Sequence, residues 1–543
     1  MPTEPFSRPT PAWLADAIFY EIYPQSFYDS NGDGIGDLPG VTAKLDYLTS
    51  LGVNALWLNP CFVSPFGDAG YDISDFYRVA PRYGTNADLK RLFREAHKRG
   101  MKVCLDLVAG HTSSEHPWFK ESAKPTRNRY SDWFIWTDNV WNSAPGDFKS
   151  IQGFGDRDGA YVANFFYFQP ALNFGFANPD PKCPWQLPPD HPSCRALREE
   201  MMNIMRYWLD QGCDGFRCDM AFCLIKNDPD YNETMKLWSE WRAVYDRDYP
   251  ECVLIAEWSS PKHALKAGFH IDFMIHGGGP AYNTLTRHEL ARDAFRNRAY
   301  HGPSYFDRTG DGDILAFLEP YLEHYRLTRD LGYISIPTGN HDLVRFAQDR
   351  TPEEIKVGLT FFLTMPGVPY LYYGDEIGMR HLDTTSREGG YGRTGARSPM
   401  QWNTTRNAGF STAKPSRLYV PLDPTPSRPN VATQEKDADS LLNHTRALIR
   451  LRRENAALGN LGEFTSLHAI ERDPLFVYQR KAGSERIIVA LNPSGKKARA
   501  EFKVVSAIDP TALLAAPGYA LQQRGQRATL TLPPAGYSIF RLA

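Results

Sequence analysis

The chain has almost no net charge. Its 543 residues carry 61 basic and 63 acidic side chains, a formal net of −2. That balance leaves neither the basic footprint of a nucleic-acid binder nor a polybasic membrane patch, and it suits a neutral substrate. None of the eight cysteines falls in a CxxC pair, so their spacing carries no zinc signal. Cys104, Cys213, Cys218 and Cys252 lie in apolar, strand-like runs, where a free cysteine behaves as a small hydrophobe. This points to a reducing, cytoplasmic compartment. The start, Met1-Pro2-Thr3-Glu4-Pro5, lacks the basic end and apolar run of a targeting signal. No stretch reads as a transmembrane helix: Val357 to Gly374 comes nearest, and Pro366 and Pro369 split it into a helix end and a short strand. Sequence repeats and low-complexity tracts are also missing.

Aromatic residues are plentiful: 12 Trp, 28 Tyr and 31 Phe. Sugar sites use aromatic faces, although most of these rings must serve as core. Short β-rich runs followed by amphipathic stretches recur along the chain. They start at Ala17, Ala55, Lys102, Gly215 and Val253, with weaker ones at Ile271, Tyr333 and Pro369. The stretches Asn86 to Arg99 and Ala196 to Asp210 have helical periodicity. Eight strand–helix units imply an α/β fold, a (β/α)8 TIM barrel. The gap from Val108 to Gly215 is too long for one helix, so a subdomain is inserted after the third strand. A second insertion runs from Gly378 to about Pro426. After Leu441 to Glu454 the pattern turns all-β. The expected division is a barrel over residues 1–106 and 174–455, an inserted subdomain over 107–173, and a C-terminal β-sandwich over 456–543.

Catalysis on such a barrel belongs at the C-terminal strand ends. Three acids stand where apolar runs stop: Asp219, Glu257 and Asp342. A carboxylate there is costly unless it is paired, hydrogen-bonded or in a solvated cleft. Arg217 lies two residues before Asp219, so strand alternation puts both on one face. Such an arginine should lower the carboxyl pKa and keep a nucleophile ionised. Trp258 beside Glu257 should raise that pKa, which suits a proton donor. Glycoside cleavage needs this kind of pair. The competing structural reading is a set of ion pairs at the barrel mouth.

The motifs discriminate further. Phe19-Tyr20-Glu21-Ile22-Tyr23-Pro24-Gln25-Ser26-Phe27, Asp106-Leu107-Val108-Ala109-Gly110-His111, Gly215-Phe216-Arg217-Cys218-Asp219, the run ending in Glu257, and Asn340-His341-Asp342 resemble, in order and spacing, the α-amylase family of glycoside hydrolases, family 13. The resemblance covers nearly the whole chain. It implies Asp219 as nucleophile, Glu257 as acid/base and Asp342 as the third acid. It further implies that Arg217, His111 and His341 hydrogen-bond the sugar at the cleaved bond and that Tyr71 stacks on it. Gly70-Tyr71-Asp72 with Arg397 resembles the exo-acting branch, in which an Asp–Arg pair closes the pocket. Gln169-Pro170-Ala171-Leu172-Asn173 resembles the fifth motif of the oligo-1,6-glucosidase subgroup, with Ala171 in place of its usual acid. Gly110 replaces the family's Asn, which helps bind calcium in the true amylases, and Met220 after the nucleophile is unusual at a position that tunes linkage.

Asp29-Ser30-Asn31-Gly32-Asp33-Gly34-Ile35-Gly36-Asp37 places oxygen ligands at alternate positions, as hard cations prefer. The expected ligands are Asp29, Asn31, Asp33, Ile35 and Asp37, holding a structural calcium, with magnesium as the alternative. Gly40 stands where an EF-hand has its glutamate. A turn held by Asx hydrogen bonds is the competing reading. Asp307, Asp311 and Asp313 form a poorer version, better read as a solvated turn.

The expected activity is that of a retaining, exo-acting α-glucosidase releasing or transferring glucose from short α-glucosides, as a monomer or homodimer with no nucleic-acid or membrane partner. A trehalose-synthase-like or sucrose-active isomerase forms the same glucosyl-enzyme and differs only in what resolves it. A non-catalytic binding protein on the same fold, like the heavy-chain subunits of amino-acid transporters, would carry a membrane helix and lack a full catalytic set, the reverse of this chain.

Overall fold

The computed structural model describes residues 6–275, 281–286, 303–386 and 388–542. Eight short strands form one parallel sheet: β1 (Phe19–Ile22), β2 (Ala55–Leu58), β3 (Lys102–Leu107), β4 (Gly215–Cys218), β5 (Val253–Ala256), β6 (Ile271–Phe273), β7 (Tyr333–Ser335) and β8 (Tyr370–Tyr372). They pair in chain order from β1 to β7, and β8 pairs with β1. The seam between β7 and β8 is drawn together just beyond β7. There Thr338 N donates to Tyr370 O at 3.0 Å, and Tyr372 N donates to Thr338 Oγ1 at 3.1 Å. The apolar runs of the sequence are these strands, buried on both faces as parallel strands must be.

Helices begin where the sequence supplies caps. Thr85 and Asp88 make a capping box for Asn86–Lys98, and Thr351 and Glu354 do the same for Pro352–Thr364, which also has proline in its first turn. An antiparallel pair, Phe62–Val63 with Asp75–Val79, follows β2 and brackets the loop carrying Asp68, Tyr71 and Asp72. The sequence reading did not anticipate that pair.

Between β3 and β4 lies a small unit with its own antiparallel strands, Lys149–Ile151 and Tyr161–Ala163. Its core comprises Ile135, Ala144, Val162, Ala171 and Phe176. It is stitched to the loop after β3, because Leu172 N donates to Gly110 O at 3.1 Å and Ala171 bridges to His111. Buried Ala171 thus serves packing.

Residues beyond 460 form a five-stranded and a three-stranded antiparallel sheet over a core including Leu475, Val477, Ile488, Phe502, Leu530 and Phe540. A buried arginine, Arg480, joins this part to the barrel by donating to Thr364 O, and a second, Arg452, ties the barrel's last helix, Leu441–Glu454, to the end of Pro352–Thr364 and the segment after it. Arg452 donates to the carbonyls of Leu363, Met365 and Gly367 at 2.8, 2.9 and 2.6 Å. Arg480 donates to those of Gly459 and Gly462 at 2.7 and 3.0 Å. No helix among the described residues is long and apolar enough to cross a membrane.

Candidate active site

Strand register brings the principal acids together. Cys218 on β4 pairs with Ala256 on β5, so the next residues, Asp219 and Glu257, emerge side by side. On the other side Asp106 pairs with Arg217. The buried Arg217 guanidinium is consequently shared. Its Nη1 lies 2.9 Å from Asp106 Oδ1 and 3.0 Å from Asp219 Oδ1, and its Nη2 lies 2.8 Å from Glu257 Oε2.

This sharing alters the electrostatic expectation. Burial and the charge of Glu257 push the Asp219 carboxyl well above the ordinary carboxylate range, outweighing Arg217. Burial likewise raises Asp106, to about 6. The sequence reading assigned Arg217 to Asp219 alone. One cation facing three carboxylates cannot neutralise them all, so the cluster favours holding a proton.

Met220 adopts a left-handed backbone, φ 42° and ψ 47°, an arrangement seldom kept by a bulky residue without a compensating contact. Here the turn aims the Met220 N–H at Glu257 Oε2, 3.0 Å away. Behind Glu257, the buried Asp272 accepts from the backbone N–H groups of Trp258 and Ser260 at 3.0 and 2.9 Å, fixing the start of the loop.

Tyr71 completes the floor, with the buried His341 packed behind it. Their rings stack at 5.2 Å with planes 10° apart. Glu21 Oε1 lies 2.7 Å from His341 Nδ1 and also accepts from Asn59 Nδ2 at 3.1 Å. Tyr71 OH donates to Asp106 Oδ2 at 2.8 Å. Burial holds His341 well below its ordinary pKa and His111 at about 4, so both are neutral near pH 7.

The cavity over these residues measures about 190 Å3 and is lined by Tyr71, His111, Asp219, Glu257 and Asp342, with Asp68, Arg393, Phe165, Met220, Phe222 and Ser259. That is below the roughly 300–1,000 Å3 of drug-sized sites and offers room for a single ring. The inner residues Asp68, Tyr71, His111 and Arg393 are buried, whereas Phe165, Met220, Phe222 and Glu257 are part-exposed and mark the solvent side.

The expected Asp72–Arg397 closure is not what the structure contains. Asp72 accepts from Ser64 Oγ at 3.0 Å, Gly67 N at 2.7 Å and Asp68 N at 3.0 Å, so it staples its own turn. Burial raises it to about 6. Arg397 is buried elsewhere in the wall, donating through Nε to His341 O at 2.8 Å and lying 2.7 Å from Asp342 Oδ1 through Nη2. An Asp–Arg pair does line the cavity, but Asp68 and Arg393 make it, at 2.8 Å. Each lies four residues before its expected counterpart. The left-handed turn at Ala69 and Gly70, φ 52° and 107°, sends Asp68 inward and Asp72 back into the loop. Sequence pattern alone does not resolve which aspartate of such a turn faces the sugar. Asp106, Glu21, Asn59, Asp272, Phe165 and Phe222 were also missed as site residues. For Glu21 and Asp106 a signal existed: a carboxylate inside a fully apolar strand demands a partner.

The Asp29–Asp37 loop is tied by its own side chains. Asp29 accepts from the N–H groups of Asn31, Gly32 and Gly34 at 3.1, 2.7 and 2.8 Å and from Ser411 Oγ. Asn31 and Asp33 accept from Asp33 N and Ile35 N, and Asp37 accepts from Gly40 N at 2.6 Å. Its oxygens suit calcium chemically. Among the described residues, however, no three His, Cys, Asp or Glu side chains stand at metal-holding spacing.

A parallel barrel with paired acids at its strand ends over a ring-sized cavity defines an enzyme that acts on glycosides. The chain belongs to the α-amylase family: residues 21–460 match the alpha amylase catalytic domain. It is thus a glycoside hydrolase of a family whose mechanism is retaining. An oligo-1,6-glucosidase of Parageobacillus thermoglucosidasius is 33% identical over 542 residues, covering 89% of this chain and 91% of the relative. A trehalose synthase/amylase of Mycobacterium tuberculosis is 32% identical over 519 residues, covering 88% and 80%. The crystal structure of a trehalulose synthase from Pseudomonas mesoacidophila superposes with a TM-score of 0.79 at 26% identity, covering 98% of this chain and all of that one.

Proposed function

We propose that this enzyme removes single glucose units from the non-reducing end of short α-glucosides and passes them to water or to another sugar. The observation that carries the proposal is the small cavity whose buried side is formed by the Asp68–Arg393 pair, with Arg393 also 3.1 Å from Asp342 Oδ1. A chain end fits such a cavity and the middle of a glucan does not.

In this reading the Asp219 carboxylate attacks the anomeric carbon while Glu257 gives its proton to the departing glycosidic oxygen, whose bond to that carbon breaks. Glu257 then takes a proton from water or a sugar hydroxyl, whose oxygen displaces Asp219. Asp342, held by Arg393 and Arg397, is assigned to stabilising charge at the sugar as the glycosidic bond breaks. A structural divalent ion, calcium first, is part of the proposal, at the Asp29–Asp37 loop and with no part in these steps. All eight cysteines are free thiols, which supports a reducing, cytoplasmic setting.

An isomerase is the second reading, favoured by the likeness to the trehalose and trehalulose synthases. The part-exposed Phe165 and Phe222 could hold a released sugar for re-attack. A product time course on maltose, isomaltose, sucrose, trehalose and soluble starch, followed by NMR, separates these. Early glucose supports hydrolysis, and isomeric disaccharides without free glucose support isomerisation. Rapid starch thinning with maltodextrins as first products overturns both.

A further inference from the structure

Lys226 is a buried cation without a carboxylate partner among the described residues. Its Nζ instead donates to Cys223 O at 2.6 Å and to Asn164 Oδ1 at 3.1 Å. An ammonium has only donors, so it selects the carbonyl end of the Asn164 amide. The amide nitrogen must then face the other way, and Asn164 Nδ2 lies 3.1 Å from His111 Nδ1. That nitrogen carries two hydrogens and no free lone pair, so His111 Nδ1 has to accept. A neutral imidazole that accepts at Nδ1 bears its proton on Nε2. His111 Nε2 lies 3.2 Å from Tyr71 O, which can only accept. Every link agrees on one tautomer.

We infer that Lys226 and Asn164 form a relay that fixes His111, whose ring lines the sugar cavity, as the Nε2–H tautomer donating to Tyr71 O. They are positioning residues: neither lines the cavity, whereas His111 does. The relay also accounts for Gly110. A Cβ at residue 110 would sit 2.9 Å from Asn164 Nδ2, where the amide must pass. The cost of burying the ammonium buys orientation. Its positive charge, together with burial, also disfavours protonation of His111.

The tautomer can be read without any substrate, so this part of the test is independent of the proposed function; only the kinetic part rests on it. In enzyme labelled with 15N-histidine, the protonated and bare ring nitrogens of a neutral imidazole resonate far apart, and loss of a signal in His111→Gln assigns the residue. Wild type should show Nε2 protonated and Nδ1 bare. Asn164→Asp keeps the size of the side chain but offers His111 an acceptor. It should move the proton to Nδ1 and bring a His111 titration into the pH–rate profile between about pH 5 and 8. Lys226→Met should free the amide to turn, give mixed tautomers, and lower kcat/KM by roughly 3–10-fold, the worth of one neutral hydrogen bond. An unchanged Nε2–H signal in both variants overturns the relay. A switch in Asn164→Asp with wild-type tautomer and kinetics in Lys226→Met overturns the part assigned to Lys226. If Lys226→Met fails to fold, Asn164→Asp alone still decides whether Asn164 sets the tautomer.

Discussion

Arg393 Nη2 stands 2.8 Å from Asp68 Oδ1, with both side chains almost fully buried. A paired charge in such a place is costly to break from one side, since the other is then left buried and alone. Arg393→Ala should therefore lower kcat/KM on a disaccharide by at least about 30-fold, the equivalent of the lower end of the roughly 2–5 kcal/mol for truncating a buried charge pair. Asp68→Ala should act in the same direction, and the double variant should lose less than the two losses added. Arg393→Ala kinetics within threefold of wild type would remove the closing pair from the account.

Asp219→Asn should abolish turnover by several orders of magnitude with the melting temperature little changed, because the covalent step is lost while a hydrogen-bonding isostere remains. Steady-state rates on an aryl α-glucoside measure this. The Asp219 and Glu257 carboxyls, both against one guanidinium, should lie about 5–5.5 Å apart in a high-resolution crystal structure. Near-normal turnover of the variant, or a separation near 9 Å, contradicts the assignment.

His116 supplies a pH test of stability. Its buried ring accepts from Trp118 N at 3.1 Å, and burial lowers its pKa to about 3. The unfolded chain takes up this proton near the ordinary value of 6.5, but the folded protein does so only near 3. Its neutral form thus favours folding fully above about pH 6.5, and the benefit is lost as pH falls toward 3. Asp72 and Asp106, raised to about 6, act oppositely over the upper part of that range. Comparison with His116→Asn, which keeps a capping acceptor, cancels their effect. The stability advantage of wild type over this variant should shrink on acidification from pH 7 to 4. A constant difference in unfolding free energy would refute the assignment.

Exhaustive chelation should lower the melting temperature, and added calcium should restore it, since an ion bound only by the folded state stabilises it. Replacing Asp29 should remove this response. No shift, with no divalent ion by elemental analysis, leaves the Asx turns as the whole explanation of the loop.

The barrel was legible because its strands are short apolar runs between polar helices, and all eight appear within a residue or two of where those runs lie. Asp219 and Glu257 were legible because each directly follows such a run, whereas Asp342 lies seven residues beyond the end of β7 at Ser335 and was legible through the Asn340-His341-Asp342 motif. Asp68 and Arg393 were not. Asp68 lies in a turn and Arg393 in the short 3-10 helix Tyr391–Arg397, where left-handed residues at Ala69, Gly70 and Tyr391 decide which side chain faces the cavity. Asp72 has the same chemistry four positions along and spends all of it on its own loop. Asn164 was invisible for another reason: its importance comes from Lys226 and His111, each more than fifty residues away in sequence.

The burial gradient around the cavity imposes an order of events. In the proposed reading glucose enters toward Asp68 and Arg393, and the leaving sugar lies toward Phe165 and Phe222, the side open to solvent. That sugar must depart, or turn over in place, before anything else can reach the glucosyl–Asp219 bond. Water, a second sugar and the departing fragment therefore queue at one doorway, and the product mixture reflects how long each stays there.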